Sequence, residues 1–409
     1  MPRPTGNPKL RAARLAAGYR SQQDLIDALS ARGIVVGRRQ VGRWESASPP
    51  LPYPDVRRAL ADLLGQPLEQ LGFDVTSGGE RDRRPGSGPL PPVNRAPVRT
   101  PNAPQPASAA ADYLAVTRAH RRLYWTVAPS TLHPAVAAHA ALGEQLLEAT
   151  AGRTRQTLAA ALSESWLLAG RVEFFDLREP SRAGSTWVRA LQAAGEADDP
   201  LLGSAVLAHM AFIPGWTGRR EAAAERMTAA RTYARRGPAS PEFLAWLDAV
   251  EAECETRSGS TRTALNLITH GEAILAGGGE HSNPEWMDWF SPVRLAAFKG
   301  NTQLAAGHVP QARTTLLGVL EELPADADKQ RTVVLGDLGA VEAAAKQPEA
   351  AAAYAVRALE MLERHWYATG LERVRDVRRA LVPWQHEEYV RNLDDRLYGW
   401  GAVVSALAN

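Results

Sequence analysis

Cysteine is almost absent: the 409 residues hold one, Cys254. A disulfide framework and a cysteine-built zinc site are thereby excluded, and a reducing, cytoplasmic setting is the natural expectation. Long apolar runs are missing too. No stretch approaches the roughly 18 to 20 uninterrupted apolar residues of a membrane span. The opening Met1-Pro-Arg-Pro-Thr-Gly-Asn-Pro8 lacks the apolar core of a signal peptide, so no membrane partner is expected. Catalytic signatures are also lacking. There is no glycine loop ending in Lys-Ser/Thr, no His-Glu-x-x-His and no Gly-x-Ser-x-Gly. His120, His133 and His139 lie near one another without metal-ligand spacing to a carboxylate, and His386-Glu387-Glu388 reads as a charged helix edge. Cys254 sits among Glu251, Glu253 and Glu255, whose charge disfavours a thiolate. Neither an enzyme activity, a cofactor nor a bound metal is expected.

What is present suffices for a large core: 45% of residues are hydrophobic and 22% charged. The length suggests two or three domains. A net charge of +2 conceals an uneven distribution: residues 1–73 carry +5, residues 74–110 carry +2 and the remainder −5. A small basic head on a mildly acidic body implies that any polyanion binds the head.

The head reads as five short helices. Pro8 to Ala17 begins with proline at a favoured first-turn position and stops at Gly18. Ser21 is an N-cap for Gln22 to Ala31, with Leu25, Ile26 and Leu29 on one face. After a turn at Gly33–Gly37 comes an arginine-rich helix, ended by the prolines of 48–54. Asp55 caps the next, with Val56, Leu60, Leu63 and Leu64 inward, and Leu68 and Leu71 sit on a last short helix. In the arginine-rich stretch, Gly37-Arg-Arg-Gln-Val-Gly-Arg-Trp-Glu-Ser46, helical spacing puts Val41 and Trp44 on one side. Arg38, Arg39 and Arg43 fall mostly on the other, with Gln40 at the edge. Arginine can bridge O6 and N7 of guanine, and glutamine N6 and N7 of adenine, from a helix in the DNA major groove.

Three motifs in order carry a resemblance: Ser21-Gln-Gln-Asp-Leu25, Val41-Gly-Arg-Trp-Glu45, and Ala59-Leu-Ala-Asp-Leu-Leu-Gly65 with Leu68-Glu-Gln-Leu71. Together they resemble the helix-turn-helix domain of the Xre/phage-repressor family. The resemblance implies that Gln22 touches a backbone phosphate and that Arg38, Arg39 and Arg43 face bases or phosphates of double-stranded DNA. It further implies that Arg14 and Glu45 form a structural ion pair and that Val41 and Trp44 are core. The extra residue before Ser21 and the long turn between Leu29 and Gly37 depart from the family pattern and bear on the register of the DNA contacts.

Residues 74–110 hold eight prolines and almost no large apolar side chain, which predicts a disordered Pro-rich linker. Its Arg81, Arg83, Arg84, Arg95 and Arg99 serve solubility more readily than phosphate binding.

Residues 111–409 read as helix after helix. Gly300, Gly307-His-Val-Pro-Gln-Ala312, Leu316 and Pro324 resemble the tetratricopeptide repeat, and weaker copies anchor on Ala183, Ala223, Ala264 and Ala351. The anchors lie 40, 41, 48 and 39 residues apart, so longer helices or loops than the usual repeat are implied. Segments 112–150 and 371–405 are expected to cap the array. Resemblance to tetratricopeptide proteins implies a concave groove that binds a peptide, small molecule or protein effector. In the matched register Trp246, Glu253, Arg257, Arg294 and Asn301 face it. Trp286, Trp289 and Phe290 are spaced to share one helix face and pack as core.

The expectation is an all-α chain: a five-helix helix-turn-helix domain at 1–73, a linker at 74–110 and a tetratricopeptide-like α-solenoid at 111–409. Lysine supplies only 4 of the 47 basic residues, which with abundant alanine suggests a GC-rich bacterial, actinobacterial-type source. The expected function is sequence-specific DNA-binding transcriptional regulation, by a homodimer, because one small head buries too little surface for tight specific binding. The alternative is a protein-interaction scaffold whose head is not used for specific DNA binding.

Overall fold

The computed structural model describes residues 7–32, 34, 36–46, 49, 52, 54–66, 70–73 and 106–407. Among them every regular element is a helix, and no helix is long and apolar enough to cross a membrane. The chain divides into two compact units, Met1–Pro97 and Val98–Asn409. Residues 74–105, which include the five arginines of the Pro-rich stretch, lie outside the described residues.

The first unit contains α1 (Pro8–Ala16), α2 (Gln22–Ser30), α3 (Arg38–Trp44) and α4 (Pro54–Leu64). Local chemistry sets their starts. Ser21 and Asp24 form a reciprocal capping box on α2: the Ser21 hydroxyl accepts from the Asp24 N–H at 3.1 Å, and the Asp24 carboxylate accepts from the Ser21 N–H at 2.8 Å. Leu10, Leu25, Leu29, Val41, Trp44 and Leu60 converge in one core. The expected fifth helix falls partly outside the described residues. Residues 70–72 form a turn that buries Leu71.

The helices of the second unit begin with α5 (Ala107–Leu123), which starts within the end of the segment expected to be linker, and α6 (Pro129–Glu148). Five helix pairs follow. They are α7 (Gly152–Arg171) with α8 (Pro180–Ala197), α9 (Pro200–Gly215) with α10 (Arg220–Ala234), α11 (Pro241–Arg257) with α12 (Thr261–Gly277), α13 (Pro292–Ala305) with α14 (Val309–Glu322), and α15 (Asp328–Ala344) with α16 (Pro348–Leu362). Helices α17 (Ala368–Ala380) and α18 (Glu388–Leu407) complete the unit. The first helices of successive pairs touch one another from α7 through α17 and make an inner layer. Each second helix packs on its own partner and on the next first helix. All five alanine anchors, Ala183, Ala223, Ala264, Ala312 and Ala351, are buried on the second helices.

Glycine on the first helix lets its partner approach. A Cβ at Gly170 would meet the Trp187 indole at 2.3 Å, one at Gly203 the Tyr233 ring at 2.6 Å, and one at Gly300 the Leu316 Cγ at 2.5 Å. The aromatic stretch is a correction: Trp286, Trp289 and Phe290 are buried, but 281–290 is turn and irregular chain rather than helix. Pro284 lacks the N–H a helix interior needs, and the rings are instead gathered by tertiary packing against Phe243 and Trp246.

Two substitutions separate close approach from helix propensity. Gly300→Ala should destabilise by about 1–3 kcal/mol because Leu316 must move. Gly318→Ala, on the partner helix with nothing within 4 Å of its Cβ, should stabilise by up to about 1 kcal/mol. Urea unfolding of the two variants checks the opposite signs.

Candidate functional site

In the first unit, α3 presents Arg38, Arg39 and Arg43 to solvent, with Gln40 half-buried, while Val41 and Trp44 are buried beneath. What holds this helix is a polar network. Arg14 Nε donates to Glu45 Oε1 at 2.7 Å, Arg14 Nη1 donates to the Tyr19 carbonyl at 2.7 Å, and Gln22 Nε2 donates to Glu45 Oε2 at 2.8 Å. The guanidinium is nearly inaccessible, so the carboxylate that ends α3 is a required partner. Gln22, expected at a phosphate, spends its amide on Glu45. Asn7, which sequence reasoning missed, caps α1 and also donates to the carbonyls of Trp44 at 3.2 Å and Leu71 at 2.9 Å. Gly72, at φ +80°, has no room for a side chain beside it: a Cβ would lie 2.3 Å from Asn7 Oδ1.

In the second unit, the inner layer lines a partly open cavity of about 110 Å³. Every inner helix contributes a polar group: Arg171 from α7, His209 from α9, Glu253 from α11, Arg294 and Asn301 from α13, Lys329 and Asp337 from α15, and Arg373 from α17. Trp125, Phe175, Phe212, Trp216 and Trp289 supply much of the apolar wall. The cavity exists because the two ends of the array meet. Helix α7 runs into a π-helical turn, Val172–Asp176, which packs against α17. Thr369 Oγ1 donates to the Phe175 carbonyl at 3.0 Å, and the Trp366 indole N–H donates to the Asp176 carbonyl at 3.2 Å. Lys329 Nζ donates to Asp176 Oδ1 at 2.7 Å, with both side chains buried and the ammonium 3.8 Å from the Tyr124 ring centroid. Burial lowers the Lys329 pKa and raises that of Asp176, each partly opposed by the other's charge.

The remaining charges fall into two groups. Glu253 is braced by Arg257 Nε at 2.6 Å and Asn301 Nδ2 at 3.0 Å, and Arg373 lies 3.7 Å away. Burial works to raise the Glu253 pKa, but the two arginines outweigh it and draw it down. Asp337, 3.2 Å from Arg373, is pushed up to about 6 by burial in spite of that arginine. Arg171 and Arg294 stand apart. Among the described residues no carboxylate lies within 4 Å of either, and neither guanidinium makes a hydrogen bond. Arg171 is 6% exposed and rests on aromatic faces, 4.4 Å from the Trp289 centroid and 4.8 Å from that of Tyr124. Arg294 retains accessible surface where it lines the cavity. Enclosure by protein nevertheless lowers its pKa, and the positive charge of Arg171 lowers it further.

Of the residues expected to face a groove, Glu253, Arg294 and Asn301 line the cavity. Trp246 does not: it is buried in the core, its ring 5.2 Å from His209 and 5.7 Å from Trp289, which stand between it and the space. Arg257 lies over Trp216 at 4.4 Å and acts on the cavity through Glu253. Arg171, Lys329 and Asp176 were missed. The run Arg171-Val-Glu-Phe-Phe-Asp176, charges interleaved with rings, was the available signal. Cys254 is buried, and burial, with Glu253 adding, pushes its thiol up to about 12.

No family model matches the sequence, and no curated protein does. Among solved structures, the crystal structure of BtubC (BKLC) from P. vanneervenii is similar at 16% identity and a TM-score of 0.40. The match covers 57% of this chain and 91% of that one, and is too distant to carry an argument.

Removing one partner of the head network should be costly. Arg14→Met leaves Glu45 without its cation and is expected to destabilise the first unit by roughly 3–5 kcal/mol, read by amide exchange at Leu25 and Val41. In the second unit His209, which donates through Nδ1 to the Ala205 carbonyl at 2.8 Å, is held neutral. Burial, with Arg171 adding, pushes its pKa from 6.5 down to about 3. The unfolded chain therefore binds this proton first. Stability from His209 is complete above pH 6.5 and is lost as pH falls toward 3. Relative to His209→Gln, the wild type should lose roughly 3–5 kcal/mol across that window, measured by denaturant unfolding at stepped pH.

Proposed function

We propose that this chain is a DNA-binding transcriptional regulator. Its head belongs with the Xre/phage-repressor type of helix-turn-helix domain, and its body is a tetratricopeptide-like helical array that answers to an effector. The observation that carries the reading is the two-sided character of α3: three solvent-facing arginines and Gln40 over a buried Val41–Trp44 face, with the helix end pinned by Arg14, Gln22 and Glu45. A merely solvated surface does not need its carrier helix fixed by a buried ion pair, whereas base readout demands a rigid mount. The pairing of helices about buried alanine anchors supports the repeat reading of the body. Two heads on two half-sites, in a homodimer in the cytoplasm, complete the proposal, since one head offers too little contact area. Effector binding in the body would change how the two heads are presented to the operator.

The test is selection of genomic fragments by the purified protein at about 0.15 M salt, beside the triple variant Arg38→Ala, Arg39→Ala, Arg43→Ala. A small set of fragments sharing a two-fold motif, lost in the variant, is the expected result. Binding of fragments without preference by both proteins would overturn it in favour of a protein-interaction scaffold. Within a recovered site, Arg39→Ala should cost about 1–3 kcal/mol and relax preference at one base position.

A further inference from the structure

The cavity of the second unit is more than a groove left between helices. Its two ends are tied together through Lys329 and Asp176, Thr369 and Phe175, and Trp366 and Asp176, which turns a concave wall into a partly enclosed pocket. Charges elsewhere around it are matched. Lys329 has Asp176, Arg373 has Asp337 and Glu253, and Arg257 has Glu253. Asp288, 3.4 Å from Arg121 Nε, feels Arg171 as the largest charge on it, and Asp176 feels it too, but neither carboxylate comes within 4 Å of the Arg171 guanidinium.

Arg171 and Arg294 are the exceptions. Both line the cavity, neither has a carboxylate of the described residues within 4 Å, and the charge of Arg171 acts on Arg294. A buried cation is ordinarily paired, because leaving water without compensation is costly. Aromatic faces at 4.4 and 4.8 Å offset part of that cost for Arg171 but leave its N–H donors unused. Five donors in a planar fork match a carboxylate. The walls beside them are rings, Trp125, Trp289 and Phe175 among them. At about 110 Å³ the space is smaller than the apolar cavity of about 150 Å³ that holds benzene, but it is open on one side, so a ligand carrying a single ring need not fit wholly within it.

We propose that this cavity binds a small organic anion, a carboxylate carried on a flat ring, with Arg171 and Arg294 clamping the carboxylate and the aromatic wall holding the ring. The inference rests on the reading of the body as effector-responsive and names the effector's chemical class. An extended peptide backbone is disfavoured by the contacts that tie the two ends of the array together.

The experiment is calorimetric titration of the full chain with benzoate, benzamide and inorganic phosphate in turn, without DNA. Benzoate should bind saturably, with a Kd at or below about 1 mM, and at least tenfold more tightly than benzamide or phosphate. Arg171→Lys, which keeps the charge, should retain the preference for benzoate over benzamide. Arg171→Met and Arg294→Gln should each abolish it. Benzamide binding as well as benzoate would overturn the anion clamp, phosphate binding as well as benzoate would overturn the ring subsite, and failure of benzoate to bind would overturn both. Melting temperatures measured alongside show whether a silent variant is folded, and Arg294→Gln, at the less buried position, supplies the second route if Arg171→Met unfolds. The triple arginine variant of α3 should bind benzoate unchanged, so loss of DNA selection and loss of ligand binding are read separately.

Discussion

The buried ion pair between Lys329 and Asp176 is the constraint on which the second unit depends. Its partners are separated by 153 residues and almost inaccessible to water. Neither charge could be left there alone, since breaking a buried pair costs roughly 3–5 kcal/mol. The array is therefore closed at this point rather than free to open as an arc. The π-helical turn that carries Asp176 has a second consequence. It also ends the helix, so the carbonyls of Phe175 and Asp176, which like the last carbonyls of any helix have no partner within it, are met by Thr369 and Trp366 and become the seam. The residue just before that turn is Arg171, which the same geometry aims into the enclosed space.

The head solves a comparable problem on a smaller scale. A core built from short helices is marginal, and α3 has only seven residues. Arg14 and Glu45 fix its end against α1, while Asn7 ties the same end to the turn at Leu71. The exposed arginines thus sit on a mount specified by buried polar groups, in which each donor and acceptor selects one geometry.

Legibility varied with the range of the interaction. The N-cap at Ser21, the inward faces of α2 and α4 and the recurring buried alanines of the second unit were readable because they rest on spacings of two to four residues or on a recurring period. Helix pairing about Gly300 followed from the same logic. The aromatic stretch 284–290 misled for a converse reason. Spacing of Trp286, Trp289 and Phe290 fits a helix face, yet tertiary packing gathers those rings from an irregular chain. Trp246 failed as a groove residue because a helix in the inner layer buries several faces, and periodicity alone does not say which one meets the open space.

By itself, the sequence determined the all-helical class, the basic face of α3 and the Arg14–Glu45 partnership that the family resemblance implied. These depend on local helix chemistry or on short motifs. Only the tertiary structure decided that the turn after α7 meets α17, that Lys329 answers Asp176, and that Arg171 and Arg294 face one cavity with no carboxylate of the described residues within 4 Å. Such pairings join residues more than a hundred positions apart, or follow from which face of a buried helix turns inward. No local periodicity encodes either, because both are set by how each helix pair is rotated against the next.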